Sequence, residues 1–337
     1  MTFPFLGIGT RSFGKAVSSA AYLAEKFKLP GIKPSILKLF DNKRKFKEFL
    51  EKKGIKVPKY YNWRTNSLLV KTAAIIPYPC ILKPASSESK KGIEIFHNKE
   101  DLKKKLELIF PDDSTYLLEE FIEGKEITVI GIVQNKLFHL ISISDKITTE
   151  YPPFLEISHR LPSEYEFHSG EIKIICQSIA NFIGLETCPF VAEFKITKND
   201  EIYLMEAKPE VGGEYLADFL IPHFYGYDYF QNLVKALIGE SIESKIIKKD
   251  PTIKKAHITF FAPPEGKSKL EKIVAFEAED FEKLLFYEKL KTDGESLNSS
   301  TGNHSRVAVL GISTKKDLSH EDFDKSIRER MLVKFES

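Results

Sequence analysis

Two glutamates have the clearest potential for chemistry, because each interrupts an apolar predicted strand. Glu193 lies in the predicted strand 190–197 and Glu206 in the predicted strand 202–207, and a short turn joins the two strands. In an antiparallel pair such residues can reach one face of the sheet, where two ionised carboxylates repel each other unless a cation joins them. Because a buried acid without a partner is costly, the pair predicts a metal site. A salt-bridged structural pair is the alternative.

Two lysines are candidates for binding a phosphate chain. Lys83 ends the apolar predicted strand 80–83 and precedes Pro84, a position in which a long cation needs a negatively charged partner. A lysine ammonium at a strand end can act as a point charge aimed at a buried polyanion. Lys43 opens a predicted helix, but other cations surround it there, so a solvated side chain is an equal alternative.

In their order along the chain, these residues and three motifs resemble the ATP-grasp superfamily. The motifs are ILKPASSESKKGI around Lys83, LLEEFIEGKE at residues 117–126 and FVAEFKITKNDEIYLMEAKPEVGGE at residues 190–214. Within the superfamily the chain is most similar to carboxylate–amine ligases of the L-amino acid ligase type. It is related more distantly to the carbamoyl phosphate synthetase large chain and to biotin carboxylase. The resemblance covers roughly residues 20–330.

The resemblance implies an ATP-grasp fold of the α+β (α/β) class, with a nucleotide between two α+β subdomains. It implies an ADP-forming ligase that makes C–N bonds: a carboxylate attacks the γ-phosphate of ATP, and an amine then displaces phosphate from the acyl phosphate. The implied cofactors are ATP and Mg²⁺, with Mn²⁺ as an alternative ion. The implied partners are a small-molecule carboxylate, such as an amino acid, and an amine.

The resemblance also assigns roles to individual residues. The two lysines would contact the phosphates, and a loop of small residues would close over them as a lid. The backbone of Glu120 and Ile122 would meet the adenine edge, and Glu119 and Glu126 would accept hydrogen bonds from the ribose hydroxyls, with an exposed acidic turn as the alternative. The implied nucleotide set is Lys43, Lys83, Ser86, Ser89, Gly92, Glu119, Glu120, Phe121, Ile122 and Glu126, and the implied metal ligands are Glu193 and Glu206.

The chain departs from the family after its second metal glutamate. Family members usually continue with Asn-Pro-Arg, whereas this chain has Lys208, Pro209 and Glu210. A charged lysine cannot bind a metal, because it has no acceptor atom. Lys208 could replace one magnesium, or the missing arginine, beside the γ-phosphate and so preserve catalysis. Two alternatives stay open: a site that binds nucleotide without turnover, and an ATP-grasp enzyme of purine or bicarbonate metabolism.

The segment FLEISHRLPSE, with Glu156, His159 and Arg160, occupies the region where related ligases place an insertion near the acceptor substrate. His159 could assist proton transfer from the attacking amine, because the pKa of histidine lies near neutrality. Arg160 could bind a carboxylate in a forked geometry. Arg306 resembles a position near the active-site mouth, with a surface ion pair as the alternative. The predicted catalytic set is Lys208, His159, Arg160 and Arg306.

A framework of helices and strands must position these residues, and hydrophobic spacing and turn signals predict one. Helices are predicted at 18–29, 41–53, 98–108 and 171–183, and strands at 80–83, 93–96, 115–118, 126–133, 136–144, 190–197 and 202–207. Asp41 is the predicted N-cap of the second helix. The stretch 151–169, rich in Pro, Glu and His, is predicted to be an irregular functional loop.

Four units follow from the resemblance and from this alternation of elements. Residues 1–40 form an N-terminal pre-ATP-grasp unit that is shorter than in relatives, and residues 41–114 form the first ATP-grasp subdomain with the phosphate lid. Residues 115–245 form the second subdomain with the metal site, and residues 246–337 form a C-terminal unit.

Composition limits the class of protein. The 337 residues are 42% hydrophobic and 29% charged, which are ordinary globular values. Three cysteines without ligand spacing predict a reduced, cytoplasmic protein. No apolar run reaches the roughly 18 residues of a membrane span, so no membrane partner is expected.

Net charge is distributed unevenly, but it does not indicate a nucleic-acid partner. Residues 1–110 hold 23 Lys and Arg against 9 Asp and Glu. These cations fall in predicted helices, where solvated faces are common, and no nucleic-acid-binding signature accompanies them. The expected partners are therefore small molecules, and a homodimer is one assembly that the sequence leaves open.

Overall fold

The computed structural model describes residues 5–40, 42–62, 75–84, 93–109, 116–150, 152, 154–243, 250–264, 269–274, 276–297 and 303–336. The described helices are α1 Lys15–Lys26, α2 Pro34–Phe40, α3 Lys43–Lys52, α4 Lys99–Ile109, α5 Ser169–Ile183, α6 Ile221–Tyr225, α7 Tyr229–Leu237 and α8 His320–Arg330. A π-helical turn, Leu216–Leu220, precedes α6. In this part of the chain, no helix is both long and apolar enough to span a membrane.

Strands alternate with these helices and form three sheets in the described residues. The strands are β1 Tyr60–Asn62, β2 Cys80–Pro84, β3 Glu94–Phe96, β4 Tyr116–Glu120, β5 Lys125–Gln134, β6 Leu137–Thr148, β7 Glu156–Leu161, β8 Cys188–Ile196, β9 Ile202–Lys208, β10 Lys255–Phe261, β11 Lys269–Ile273, β12 Glu282–Lys289, β13 Ala308–Thr314 and β14 Val333–Glu336. The predicted α+β class is confirmed.

The largest sheet has eight strands in the order β12-β13-β10-β7-β6-β5-β8-β9, and all its neighbouring strands are antiparallel. A second sheet has the order β1-β4-β2-β3, and β11 pairs with β14. The large sheet carries the two glutamate strands at one edge, and the small four-stranded sheet carries Lys83 on β2.

Both faces of the large sheet are covered by helices, because each face presents its own apolar stripe. Helix α5 packs through Ile172 and Cys176 against Ile127 of β5. The π-helical turn and α7 pack on the other face, where Ile130 contacts the cluster that includes Tyr229. Gly184 ends α5 in the left-handed conformation that glycine adopts without strain.

The helix that carries Lys43 begins directly after a polar cap. Asn42 accepts a hydrogen bond from the backbone N–H of Lys45 and so satisfies one free donor of the first turn. The predicted cap Asp41 lies outside the described residues. Helix α3 buries Phe46 and Leu50 and ends at Lys52, close to the predicted bounds.

The stretch 151–169 is not the irregular loop that the sequence predicted. Strand β7 runs through it, in the middle of the large sheet between β6 and β10. Its polar residues hid the strand, because β7 buries charged or polar side chains on both faces instead of alternating with apolar ones. The prediction weighted Pro, Glu and His as loop residues, whereas their partners come from distant parts of the chain.

The C-terminal residues contribute to the same sheet. Strands β10, β12 and β13 extend the large sheet beyond β7, so hydrogen bonding continues across the predicted boundary between residues 245 and 246. Helix α8 packs on these strands through Phe323 and Ile327. The four-unit division stays a proposal about the chain, and the sheet joins its last two units.

Candidate functional site

The two predicted metal glutamates lie directly opposite each other. Glu193 of β8 pairs with Glu206 of β9 in the sheet register, and their side chains are 34% and 35% exposed. Each carboxylate has a lysine beside it: Lys146 Nζ lies 2.7 Å from Glu193 Oε1, and Lys208 Nζ lies 3.3 Å from Glu206 Oε1. The structure therefore brings the pair together on one face, as the sequence pattern predicted.

Cations keep Glu206 ionised. Burial opposes its ionisation, but the charges of Lys208, Lys43 and Lys83 outweigh burial and hold the pKa of the Glu206 carboxyl below its ordinary value. Two carboxylates, completed by phosphate oxygens and water, form a donor set that Mg²⁺ accepts. Within the described ranges, no group of three or more His, Cys, Asp and Glu residues is arranged to hold a metal ion. Magnesium binding at the pair stays a prediction.

A buried carboxylate forms an ion pair with Lys83, one of the two lysines predicted to bind phosphate. Glu119 of β4 is fully buried, and its two oxygens lie 2.7 Å from Lys47 Nζ and 2.6 Å from Lys83 Nζ. Burial alone would raise the pKa of Glu119, but the two lysines lower it to about 2. The predicted contact of Glu119 with ribose is not supported by this placement, since both oxygens already have cationic partners.

The sequence did not reveal Lys47. It lies one helical turn after Lys43, on the same side of α3, and it is only 3% exposed. Burial lowers the pKa of Lys47 to about 8, against the opposing charge of Glu119. Lys47 lies next to Phe46 and three residues before Leu50, and both of these side chains are buried. This was the available signal, because a lysine inside a buried helix face needs a partner.

The predicted adenine segment is organised by a lysine that the sequence did not reveal. Lys195 Nζ donates to the carbonyl oxygen of Ile122 at 3.0 Å and lies 4.7 Å from the centre of the Phe121 ring. The N–H of Glu120 already donates to the carbonyl of Lys59. The segment therefore presents a fixed backbone and an aromatic ring, and its binding of adenine stays a prediction.

A row of charged side chains crosses the sheet from this segment. Lys195 of β8, Glu126 of β5, Lys146 of β6 and His159 of β7 are successive register partners, so they lie on one face. Glu126 lies 3.4 Å from Lys195 Nζ and 3.6 Å from Lys146 Nζ. We call this face, which also carries Glu193, the site face, and the opposite one the back face.

From Lys146, ion pairs continue to the residues that the sequence predicted to lie near the acceptor substrate. Lys146 Nζ lies 3.1 Å from Glu156, and Arg306 bridges Glu156 at 3.1 Å and Glu214 at 2.9 Å. His159 Nε2 then lies 2.6 Å from Glu214 Oε2. A bulge in β7, between its pairings at residues 156 and 158, places Glu156 and His159 on the same face. The structure thus brings together His159 and Arg306 of the predicted catalytic set.

Glu214 is a site residue that the sequence analysis missed. It has a φ of 66°, and Tyr215 has a φ of 65°, so two consecutive non-glycine residues are left-handed. Such conformations are costly and concentrate at functional sites. Burial would raise the pKa of the Glu214 carboxyl, but His159, Arg306 and Lys146 hold it well below its ordinary value. The signal was a carboxylate directly after the Gly-Gly turn.

Arg160 is not brought to the site. As the neighbour of His159 on β7, it faces the back of the sheet, where Nη1 lies 2.8 Å from Glu321 and Nη2 lies 3.8 Å from Asp324 of α8. Alternation along a strand gives adjacent residues opposite faces. The predicted role of Arg160 in binding a substrate carboxylate is therefore not supported by its position.

The two departures from the family pattern have different surroundings. Burial opposes the charge on Lys208, but Glu206, Glu210 and Glu193 hold the pKa of its ammonium above the ordinary value. Glu210 accepts a hydrogen bond from the backbone N–H of Gly14 at 3.1 Å, so it ties the N-terminal segment to the end of β9. The predicted lid residues Ser86, Ser89 and Gly92 lie outside the described residues.

Comparison with known proteins finds similar chains among ligases. Residues 76–218 match the ATP-grasp domain model. D-alanine–D-alanine ligase of Petrotoga mobilis is 29% identical over 172 residues, which cover 49% of this chain and 57% of that protein. Phosphoribosylamine–glycine ligase of Fusobacterium nucleatum is 24% identical over 307 residues, covering 84% of this chain and 70% of that protein. The chain thus spans little more than half of the first relative.

A solved structure with the same fold spans almost the whole chain. The L-amino acid ligase from Bacillus licheniformis superposes with a TM-score of 0.79 and 19% identity, over 99% of this chain and 82% of that one. A biotin carboxylase from Campylobacter jejuni superposes with a TM-score of 0.70 over 96% of this chain and 74% of that one, at 17% identity. These likenesses confirm the predicted fold.

Proposed function

We propose that this chain, which carries an ATP-grasp domain at residues 76–218, binds Mg-ATP and uses it to join a small carboxylate to an amine. The observation that carries the proposal is the direct pairing of Glu193 with Glu206 on the site face. Both carboxylates are open to a ligand, and lysines from α3, β2 and β9 act on Glu206. Carboxylates for a metal beside cations for phosphates are what phosphoryl transfer requires.

Each part of the nucleotide has a matching group. Lys43 and Lys83 receive the phosphate chain, and Glu119 holds Lys83 from behind at 2.6 Å. Glu193 and Glu206 would hold Mg²⁺, which would polarise the phosphoryl oxygens. The adenine lies against the segment from Glu120 to Ile122, whose backbone and ring Lys195 fixes.

The reaction follows from where charge develops. A substrate carboxylate oxygen attacks the γ-phosphorus, the bond to the β-phosphate oxygen breaks, and ADP leaves. Lys43 and Lys83 offset the negative charge on the transferring group, and Lys83 does so without rearranging, because Glu119 holds it before the reaction. The amine then attacks the carbonyl carbon of the acyl phosphate, and inorganic phosphate leaves.

The amine must lose a proton during this second step, and we assign that proton to His159, which is 2% exposed. Its Nε2 lies 2.6 Å from the carboxylate of Glu214, which can only accept a hydrogen bond while ionised. Nε2 therefore carries the hydrogen, and Nδ1, which is buried and has no hydrogen-bond partner within the described structure, is the nitrogen to which we assign the proton.

ADP release tests the proposal. Purified protein is incubated with Mg-ATP, with and without a pool of amino acids, and Glu193→Gln serves as the control for contaminating ligases. ADP release that rises with the pool and disappears in the variant supports the proposal, and dividing the pool identifies the substrates. ATP binding without release under any pool, or release unchanged by Glu193→Gln, would contradict it.

One observation favours a second candidate function. Glu210 stands where relatives have an arginine, and it is bound to Gly14 instead of facing a reacting group. A protein that binds nucleotide without turnover would show a thermal shift with Mg-ATP and no substrate-stimulated ADP release. The similarity to phosphoribosylamine–glycine ligase over 84% of the chain supports testing purine-pathway amines and bicarbonate in the same assay.

A further inference from the structure

The ammonium of Lys208 lies beside the Glu206 carboxylate, where a metal ion could also bind. Its Nζ lies 3.3 Å from Glu206 Oε1, and the two side chains are 34% and 35% exposed. Lys208 follows Glu206 by two residues on β9, so the two share a face, and its register partner on β8 is Val191, two residues before Glu193. Both side chains therefore border the opening between the metal glutamates.

We propose that Lys208 supplies the second positive centre of this site, so that the nucleotide binds with one divalent ion instead of two. The proposal rests on the function proposed above and deepens it. A lysine ammonium offers three donors to phosphate oxygens and no acceptor to a metal. It therefore takes over the charge of an ion without binding one.

Position supports this assignment. In two-metal sites the ions lie about 3.5–4 Å apart and share ligands. A second ion bound through Oε1 of Glu206 would compete for the space where Lys208 Nζ lies at 3.3 Å. Repulsion between a dication and an ammonium at such a distance opposes binding in a partly buried site.

The balance of charge supports it independently. Four lysines act on the two metal glutamates: Lys146 contacts Glu193, and Lys208, Lys43 and Lys83 act on Glu206. A second divalent ion would add its charge to a site where these lysines already surround the two glutamates, which is unfavourable at low local dielectric.

Counting bound Mn²⁺ tests the proposal. Protein in molar excess over the β,γ-imido analogue of ATP keeps all the nucleotide bound, and the loss of the free Mn²⁺ signal in electron paramagnetic resonance counts ions per nucleotide. The expected value is one at saturation. A value of two in the unmodified protein would overturn the proposal.

Variants identify Lys208 as the responsible cation. Lys208→Met keeps the length and removes the charge, and it should weaken binding of the analogue at least tenfold, whereas Lys208→Arg should keep most of the affinity. Lys56→Met is the matched control, because Lys56 contacts Glu201 at 2.6 Å on the surface near the start of β9. Unchanged affinity in Lys208→Met would overturn the proposal.

The two proposals fail differently in this experiment. An unmodified protein that does not bind the analogue at all contradicts the proposed function itself. Tight binding of the analogue with two Mn²⁺ ions leaves the proposed function standing and removes only the role of Lys208.

Discussion

Around β7, both faces of the large sheet bury charged side chains. The network on the site face reaches a carboxylate that is open to a ligand, whereas helix α8 covers the network on the back face. On the site face, His159 begins a chain of ion pairs through Glu214 and Arg306 that ends at Glu193, which is open to a ligand. On the back face, the next residue, Arg160, pairs with Glu321 and Asp324, and helix α8 closes over it.

The back face is as polar as the site face, but its charged and polar side chains pair with groups inside the fold. His257 Nε2 lies 2.7 Å from His320 Nδ1, and Arg328 donates to the carbonyls of Ile157 and Phe260. Buried charge alone therefore does not mark a functional site, because structural networks bury charge as well. The open end of the network distinguishes the site face.

The largest effect on ADP release is expected from a change at the open end of the site face, where Glu206 lies. Glu206→Gln keeps the shape and removes the charge of a metal ligand, so substrate-dependent ADP release should fall by about 100-fold or more, the upper end for residues that only support a metal ligand. The melting temperature should change little, since the side chain is 35% exposed. A variant that releases ADP at the original rate would show that the open end is not the reaction centre.

Glu214→Gln tests the middle of the network. It removes the charge that orients His159 and pairs with Arg306, so amide formation should fall by about 10-fold or more, part of the contribution that a positioned base makes. Affinity for ATP should stay the same. Glu288→Gln, which removes the negative charge that accepts a hydrogen bond from the adjacent Tyr215, is the matched control. Equal losses in both variants would assign Glu214 a structural role only.

Arg160→Met tests the closed face. Removing the guanidinium leaves Asp324 with one fewer cation, and unfolding by urea should show a loss of about 2 kcal/mol, typical of hydrogen bonds to charged groups. ADP release per folded molecule should not change. Lys325→Met, on the exposed side of α8 beside Glu329, should leave stability unchanged. Loss of turnover in folded Arg160→Met would break the comparison between the faces.

The histidine pair predicts the smallest effect, a pH dependence of stability. Burial lowers the pKa of His320 to about 4, below the ordinary 6.5, so the unfolded chain binds the proton more tightly. Stability should therefore fall as pH drops from about 6.5 to about 4. Asp145, whose pKa burial raises to about 6, works in the opposite direction. Comparison of urea unfolding with His320→Asn isolates the histidine, and identical slopes would refute this assignment.

Sequence reasoning succeeded where a local pattern carried the signal. Glu193 and Glu206 interrupt apolar strands joined by a tight turn, and that pattern alone fixed their meeting on one face. Lys83 ended an apolar strand and therefore needed a partner, which the structure supplies as Glu119. Apart from β1 and β7, the helices and strands from α3 to β9 followed hydrophobic spacing closely.

Where the sequence failed, the missing information was long-range. The roles of Lys146 and Glu214 depend on partners on other strands and loops, and no spacing along the chain encodes those pairs. The facing of His159 and Arg160 depends on β7, which polar residues disguised, and on its bulge near residue 157. A bulge of one residue exchanges the faces of everything beyond it.

Isotope transfer tests the central claim, that the site face passes the γ-phosphate to a carboxylate. The protein is incubated with Mg-ATP and the amino acids that stimulate ADP release, labelled with ¹⁸O in their carboxylates, and the phosphate produced is analysed by mass spectrometry. The account predicts one ¹⁸O atom in each phosphate, because the attacking carboxylate oxygen leaves with the phosphoryl group. ADP release accompanied by unlabelled phosphate would contradict it, since water would then be the acceptor.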